Sequence, residues 1–337
     1  RMVASDMTPE EAIKKLEKPK GRWGAILATT PIVMTVLATV FGLATSLGLG
    51  AKQAMAGVSL LYHIPETAGS IIALILVMGG VTFLSVRGGI DRGIRILSEL
   101  NLWVAFGLLL FVLVTGGAVS LMTDVATNIG AYLRALPALS AATDRADASF
   151  FHDWTVYYWA WWVSWAPFVG MFMARISLGR TVREFMAGAL LAPSLLGIFW
   201  LTIFGDSSIA HILAGDAAGL AKAGLDQQLF LLLGQLPYAQ ITSFIAICLI
   251  MIFFVTGWDS GTLVIDAMTA GGRTDTSLKQ KLVWLLTVGG IGIVLLLSGG
   301  LNSLQAGAIA AGLPLIAVLL LMMAGTLRGL LTLHRRG

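Results

Sequence analysis

Residues 151–168 read FHDWTVYYWAWWVSWAPF, and the twelve positions from Trp154 to Trp165 hold five of the ten tryptophans in the chain. An aromatic belt at the membrane surface accounts for isolated tryptophans near the ends of apolar runs, such as Trp23, Trp103, Trp200 and Trp284. It does not account for this cluster. As a helix, Trp154 to Phe168 rises about 21 Å, from one interface well past the midplane of a bilayer. Tyr158, Trp162 and Trp165 recur at i, i+4, i+7; Trp161, Trp165 and Phe168 do so one step round, with Trp159 on the adjacent flank. The spacing predicts indoles at several depths on one broad face, which is either a packing core or a cage. An indole face attracts a cation that cannot be hydrogen-bonded, at roughly 0.5 to 2 kcal/mol per contact, so a cage of this kind would select a quaternary ammonium over a small hydrated ion. Pro167 predicts a bend or opening of the helix near 163–168.

The rest of the chain suits a bilayer. Of 337 residues, 57% are hydrophobic and 12% charged, with a mean hydropathy of +0.86, which leaves too little polar surface for a soluble globule of this size. Apolar runs of crossing length lie near 25–48, 68–86, 100–122, 154–173, 185–204, 239–258, 282–299 and 303–325, predicting eight spans in an all-α membrane protein. With the N-terminus inside, the cytoplasmic segments hold Arg1, Lys14, Lys15, Lys18, Lys20, Arg22, Arg87, Arg92, Arg95, Arg175, Arg180, Arg183, Arg273, Lys279, Lys281, Arg328, Arg335 and Arg336. Only Lys52, Arg134, Arg145 and Lys222 fall outside. That skew places both termini in the cytoplasm.

Several function classes drop out. The basic residues fall in small groups between apolar runs and form no continuous face, so a nucleic-acid partner is not expected. Cys248 is the single cysteine, and His63, His152, His211 and His334 lack ligand spacing, which disfavours a disulfide framework, a metal site or a resident cofactor. An intramembrane enzyme would need a serine with a histidine, or paired acids, at spanning depth, and neither is evident. A channel or receptor using the cage as a sensor remains a rival to a carrier. The charged opening lacks the apolar region of a signal peptide. Two external segments, 123–153 and 205–237, have the pattern of helices lying in the interface. The small-residue runs 42–51 and 298–314 predict close helix packing or backbone exposed to a pathway. Asp259 and Asp266, at the cytoplasmic end of the sixth span, are functional candidates as intramembrane acids.

The run WTVYYWAWWVSWAPFVGMFMARISLGRTVREF (154–185) closely resembles the signature of the betaine/choline/carnitine transporter (BCCT) family. Further similarity lies in ATVFGLATSLGLGA (38–51), RGIRILSELN (92–101), WLTIFG (200–205), FFVTGWDSGT (253–262) and LLLSGGLNSLQ (295–305), so it covers nearly the whole chain. The resemblance implies a secondary transporter of LeuT-type inverted-repeat architecture, usually homotrimeric, in a bacterial inner membrane, carrying a quaternary ammonium or sulfonium compound of the betaine, choline, carnitine or dimethylsulfoniopropionate type. It also implies that the chain is a fragment lacking four N-terminal spans, which would not transport alone. The expected division is a basic cytoplasmic segment at 1–24, the last three helices of the first repeat with an external amphipathic segment at 25–150, the second five-helix repeat at 151–326 and a short basic tail at 327–337.

Carried over by motif, the resemblance implies a cage of Trp159, Trp161, Trp162 and Trp165, with Trp162 and Trp165 cradling the onium group and the other two lining the approach. Phe168 aligns with a backbone ligand and gate at one sodium site, where Thr39 supplies one hydroxyl but Leu43 stands in place of the other. A second sodium site would use Phe253 and Thr256, with Gly257 where the family has serine. Hard cations need several oxygens, so both losses weaken sodium coupling and make sodium-independent exchange or proton coupling the rival mode. Asp259, Arg180 and Arg183 match positions of a gate, the arginines within reach of Glu184.

Overall fold

The computed structural model describes residues 21–88, 91–143, 145–177, 179–215, 219–273 and 275–336, and every regular element among them is helical. In chain order these are α1 (Gly21–Tyr62), α2 (Ala68–Gly88), α3 (Asp91–Thr115) and α4 (Ala118–Ser140). Helix α5 starts at Ala148–Phe150, passes through a π-helical stretch, Phe151–Val156, and continues as Tyr157–Ile176. Helix α6 likewise joins Val182–Met186 through π-helical Ala187–Leu191 to Ala192–Ala214. A 3₁₀ turn, Leu220–Lys222, precedes α7 (Leu225–Gln235), α8 (Ala239–Thr269), α9 (Leu278–Gly299) and α10 (Leu301–Arg336). Helices satisfy their own backbone groups, as hydrocarbon requires.

Among the described residues, seven helices are long and apolar enough to cross a membrane: α1 from Thr29, α2, α3 from Ile96, α6, α8, α9 and α10 to Gly329. The eighth expected span is helical over the 20 residues Tyr157–Ile176, but its tryptophans and tyrosines keep it outside the apolar set. Three boundaries differ from expectation. Helix α1 runs 42 residues, about 63 Å, because the glycines of 42–51 pack helix to helix and do not break it. Helix α10 continues through Pro314 to Arg336, over the stretch expected as a tail. Nor does Pro167 open α5, which stays α-helical through it; a membrane helix tolerates one lost hydrogen bond where neighbours hold it. The irregular turns sit at 151–156 and 187–191 instead. Most of the expected basic segment 1–24 lies outside the described residues.

The described chain divides into two compact units, and the division falls inside α1 and inside α8. One unit contains 49–147 and 179–257. Its core gathers Leu108, Leu109, Val112, Ile203, Leu232, Leu233 and Ile247. There the first external segment forms α4, whose Asn128 donates to Asp206 of α6 at 2.8 Å. Arg145 closes the α4 C-terminus, donating to the carbonyls of Ala138, Leu139 and Ala141 at 2.8–3.1 Å and to Asp147. The second external segment supplies the end of α6 and α7.

The other unit contains the described residues to Gly48, those of 148–177, and 258–336. Its α5 packs along α10. Gly312 makes that possible, since a Cβ there would lie 2.6 Å from the Ala160 carbonyl oxygen. Thr45 of α1 donates to the Leu304 carbonyl at 2.9 Å.

Candidate substrate site

Helix α5 presents its tryptophans on two faces. Trp161 and Trp165, four residues apart and half-buried, both point their indole N–H groups at one oxygen, Ser46 Oγ on α1, at 3.2 Å each. Ser46 is buried and donates in turn to the Gly42 carbonyl at 2.8 Å. A hydroxyl offers one donor and two acceptor sites, so this one is fully used. The approach of α1 needs Gly42, where a Cβ would meet Ser164 Oγ at 2.5 Å. Ser164 itself donates to the Trp161 carbonyl at 2.6 Å. Trp161 stacks on Tyr157, with centroids 5.8 Å apart and planes within 9°, and meets Tyr158 edge-on at 5.6 Å. Trp165 meets Phe168 edge-on at 5.3 Å.

Trp159 and Trp162 are elsewhere. They are 72% and 65% exposed. The four indoles that the resemblance assigns to a cage therefore divide into an anchored pair, Trp161 with Trp165, and an exposed pair. The helical period accounts for part of this: a step of four keeps Trp161 and Trp165 within about 40°, whereas Trp159 lies about 120–160° from them and Trp162 about 60–100°. Sequence reading missed Ser46. The signal available was a requirement, since two neighbouring indole donors in hydrocarbon need an acceptor, and serine and threonine are the only hydroxyl side chains in the run 42–51.

At the first expected ion site, Thr39 is buried and its hydroxyl donates to the Thr35 carbonyl at 2.8 Å, while Phe168 is half-buried beside Trp165. Leu43 is buried against Gly261 of α8, so closely that a Cβ on Gly261 would lie 2.3 Å from its Cδ1. Apolar packing fills the place of the second hydroxyl. At the other site, the Phe253 ring is 60% exposed, and Thr256 Oγ1 donates to the Ile252 and Phe253 carbonyls at 2.9 and 3.0 Å. A Cβ on Gly257 would meet nothing within 4 Å. Trp258 is accommodated by Gly289 of α9: a Cβ there would lie 2.7 Å from the indole. Asp259 is buried. Arg180 and Arg183 are exposed. Glu184 is committed to a capping box at the start of α6, its Oε2 accepting from Thr181 N at 2.7 Å and Thr181 Oγ1 at 3.0 Å, so among the described residues its carboxylate serves the helix end.

Comparison with known proteins identifies the family. The family described as BCCT, betaine/carnitine/choline family transporter, matches residues 13–335. A glycine betaine/proline/choline transporter of Vibrio parahaemolyticus is 42% identical over 299 residues, 89% of this chain and 54% of the relative. Glycine betaine transporter 1 of the same organism is 41% identical, covering 89% and 58%. The glycine betaine transporter OpuD of Bacillus subtilis is 39% identical, covering 88% and 58%. The chain thus spans about half the length of the curated relatives it matches.

Proposed function

Because this chain belongs to the betaine/carnitine/choline transporter family, we propose that it serves in secondary transport of a quaternary ammonium or sulfonium zwitterion, in a multi-pass protein of a bacterial inner membrane. The observation that carries the proposal is the pair of indoles, Trp161 and Trp165, held by the single Ser46 oxygen. An indole whose N–H is tied down presents its ring at a fixed angle, which a cation–π contact needs. Trp159 and Trp162 line the approach in this reading, and Asp259, Arg180 and Arg183 belong to the gate. The family resemblance and the distribution of basic residues support a homotrimer with cytoplasmic termini.

A second reading concerns coupling. Leu43 packed on Gly261, and the open space at Gly257, favour a sodium-independent exchanger or a proton-coupled carrier over a sodium symporter. The test is uptake of radiolabelled glycine betaine and choline into proteoliposomes containing the intact transporter, with and without sodium, a proton gradient or internal substrate. Trp161→Leu and Trp165→Leu are expected to abolish uptake. Undiminished affinity in both variants rejects the cage, and uptake that rises steeply with external sodium rejects the coupling reading.

A further inference from the structure

In the unit that contains 49–147 and 179–257, ionisable side chains from three segments converge away from the tryptophans: Lys52 of α1, Glu66 at the α1–α2 corner and Asp226 in the first turn of α7. Lys52 Nζ lies 3.7 Å from Asp226 Oδ2. Asp226 Oδ1 folds back over Gly224, the N-cap position of α7, where a Cβ would meet it at 2.6 Å. Glu66 makes a side-chain hydrogen bond with the same Asp226. Two carboxylates repel at that distance, so the bond needs a proton, and a carboxyl donating to a carboxylate makes a short, charge-assisted bond. The helix dipole and Lys52 both offer Asp226 positive charge, which leaves the proton to Glu66. Burial, and then the Asp226 charge, hold the Glu66 carboxyl above the ordinary carboxylate range, with Lys52 pulling the other way.

The corner that carries Glu66 is stiff on one side and strained on the other. Thr67 and Ser70 cap the start of α2 reciprocally, each backbone N–H donating to the other's hydroxyl at 2.8 and 3.1 Å. Ser70 Oγ also donates to the Pro65 carbonyl at 2.9 Å, so the backbone is fixed on both sides of Glu66. Before them, His63 has a φ of 57°, left-handed backbone that a residue with a Cβ adopts only at a cost. Its N–H still closes α1 on the Ser59 carbonyl at 2.9 Å. The chain thus turns from α1 to α2 at a strained joint, and Glu66 ties the far side of that joint to α7.

We propose that Glu66 and Asp226 share one proton in a latch that holds the α1–α2 corner on α7 and releases it when the proton leaves. With the proton in place the cluster is neutral, Lys52 balancing Asp226. Without it, two carboxylates face one ammonium and the bond between Glu66 and Asp226 is lost. Rising pH therefore opens the latch, and falling pH closes it. The charged groups facing Glu66 are Lys52 from α1 and Asp226 from α7; the corner's own other ionisable groups are Tyr62 and His63. With the cytoplasmic termini proposed above, the corner lies outside and the pH it senses is external. The latch rests on no assignment of substrate.

The experiment places a spin label on the intact transporter in detergent at Ile64→Cys, an exposed corner position, with native thiols replaced by serine and a control label at Ala142→Cys. Electron paramagnetic resonance then follows label mobility from acid to alkaline pH. The corner label is expected to be immobile in acid and to gain mobility through a single titration above the ordinary carboxylate range, while the control stays unchanged. Glu66→Gln, which keeps a donor for Asp226, should hold the label immobile at every pH. Lys52→Met should move the midpoint up and Asp226→Asn should move it down. The latch is overturned by a parent that shows no transition, by an equal transition at position 142, or by midpoints that stay put in both charge variants. A Glu66→Gln label that still titrates or is mobile throughout overturns it too, as does a transition that His63→Gln removes.

Discussion

Ser46 is a small side chain with a large consequence, because one oxygen sets the orientation of two rings. Replacing it with alanine leaves two indole N–H groups without their acceptor in a half-buried site, and an unsatisfied buried donor costs about 1–3 kcal/mol. Ser46→Ala is therefore expected to weaken glycine betaine affinity on the order of tenfold, read as a higher KM in proteoliposomes and as a changed tryptophan emission on titration. Ser46→Thr keeps the oxygen and should restore most of both. A Ser46→Ala protein with native KM and emission would show that the indoles hold their angle without it. Leu43 and Gly261 make the complementary case at the same scale. The Leu43 side chain occupies the groove that Gly261 leaves, so Gly261→Ala overpacks it and should lower stability by about 1–3 kcal/mol in a thermal melt. Leu43→Ala in the same background should recover part of the loss.

At the scale of elements, α5 depends on its neighbour α10 through a backbone contact that no rotamer change can relieve. Gly312→Ala would set a Cβ 2.6 Å from the Ala160 carbonyl and must push the two helices apart, with a loss of a few kcal/mol in stability and impaired uptake. A milder device sits at the α1–α2 corner, where Lys52 pairs with Asp226 at 3.7 Å. Glu66 beside them is held above the ordinary carboxylate range, chiefly by burial and then by the Asp226 charge, with Lys52 pulling the other way. The folded state thus keeps the Glu66 proton longer than the unfolded chain does. The resulting stability is full below the ordinary carboxylate pKa and is lost as pH rises through the folded value. Glu66→Gln should match the parent in acid and exceed it in Tm above that window, with the difference shrinking in high salt; a parallel pH profile in both proteins would remove Glu66 from the account.

The spans were legible because length and apolarity suffice to read them, and seven appear close to where the sequence places them. Helix ends were less legible. Glycine-rich 42–51 reads as close packing or as backbone exposed to a pathway, and only the partner side chains opposite Gly42, Gly48 and Gly50 decide for packing. Pro167 misled for the same reason, since its cost is set by neighbours the sequence does not display. The arrangement of the tryptophans was legible only in part: periodicity places Trp161 and Trp165 on one face, but nothing in YYWAWWVSW says which face meets a hydroxyl. The division inside α1 and α8 had no sequence signal, because it follows from which half of each helix finds partners.

At the scale of the whole molecule, a crossing by α5 decides which loops share a side of the membrane. Its indoles and phenols leave it outside the apolar set, whereas an alternation of basic loops between the two sides is the pattern expected if it crosses. The loop after α4 and the loop before α9 are separated by α5, α6, α7 and α8. Helix α7, with 11 residues, extends only about 16 Å and is too short to span, whereas α6 and α8 are long enough. If α5 crosses, three crossings put those loops on opposite sides of the membrane; if it does not, two crossings put them on the same side. Replacing the native thiols, Cys248 of this chain included, with serine makes the measurement clean. Ala142→Cys and Lys279→Cys, both at exposed positions, then report the two loops to a membrane-impermeant maleimide. Labelling of position 142 in intact cells, with position 279 reached only after permeabilisation, is the expected outcome. Equal labelling of both from outside would remove α5 from the spans, and with it the depth at which an indole pair can replace the hydration of an onium group.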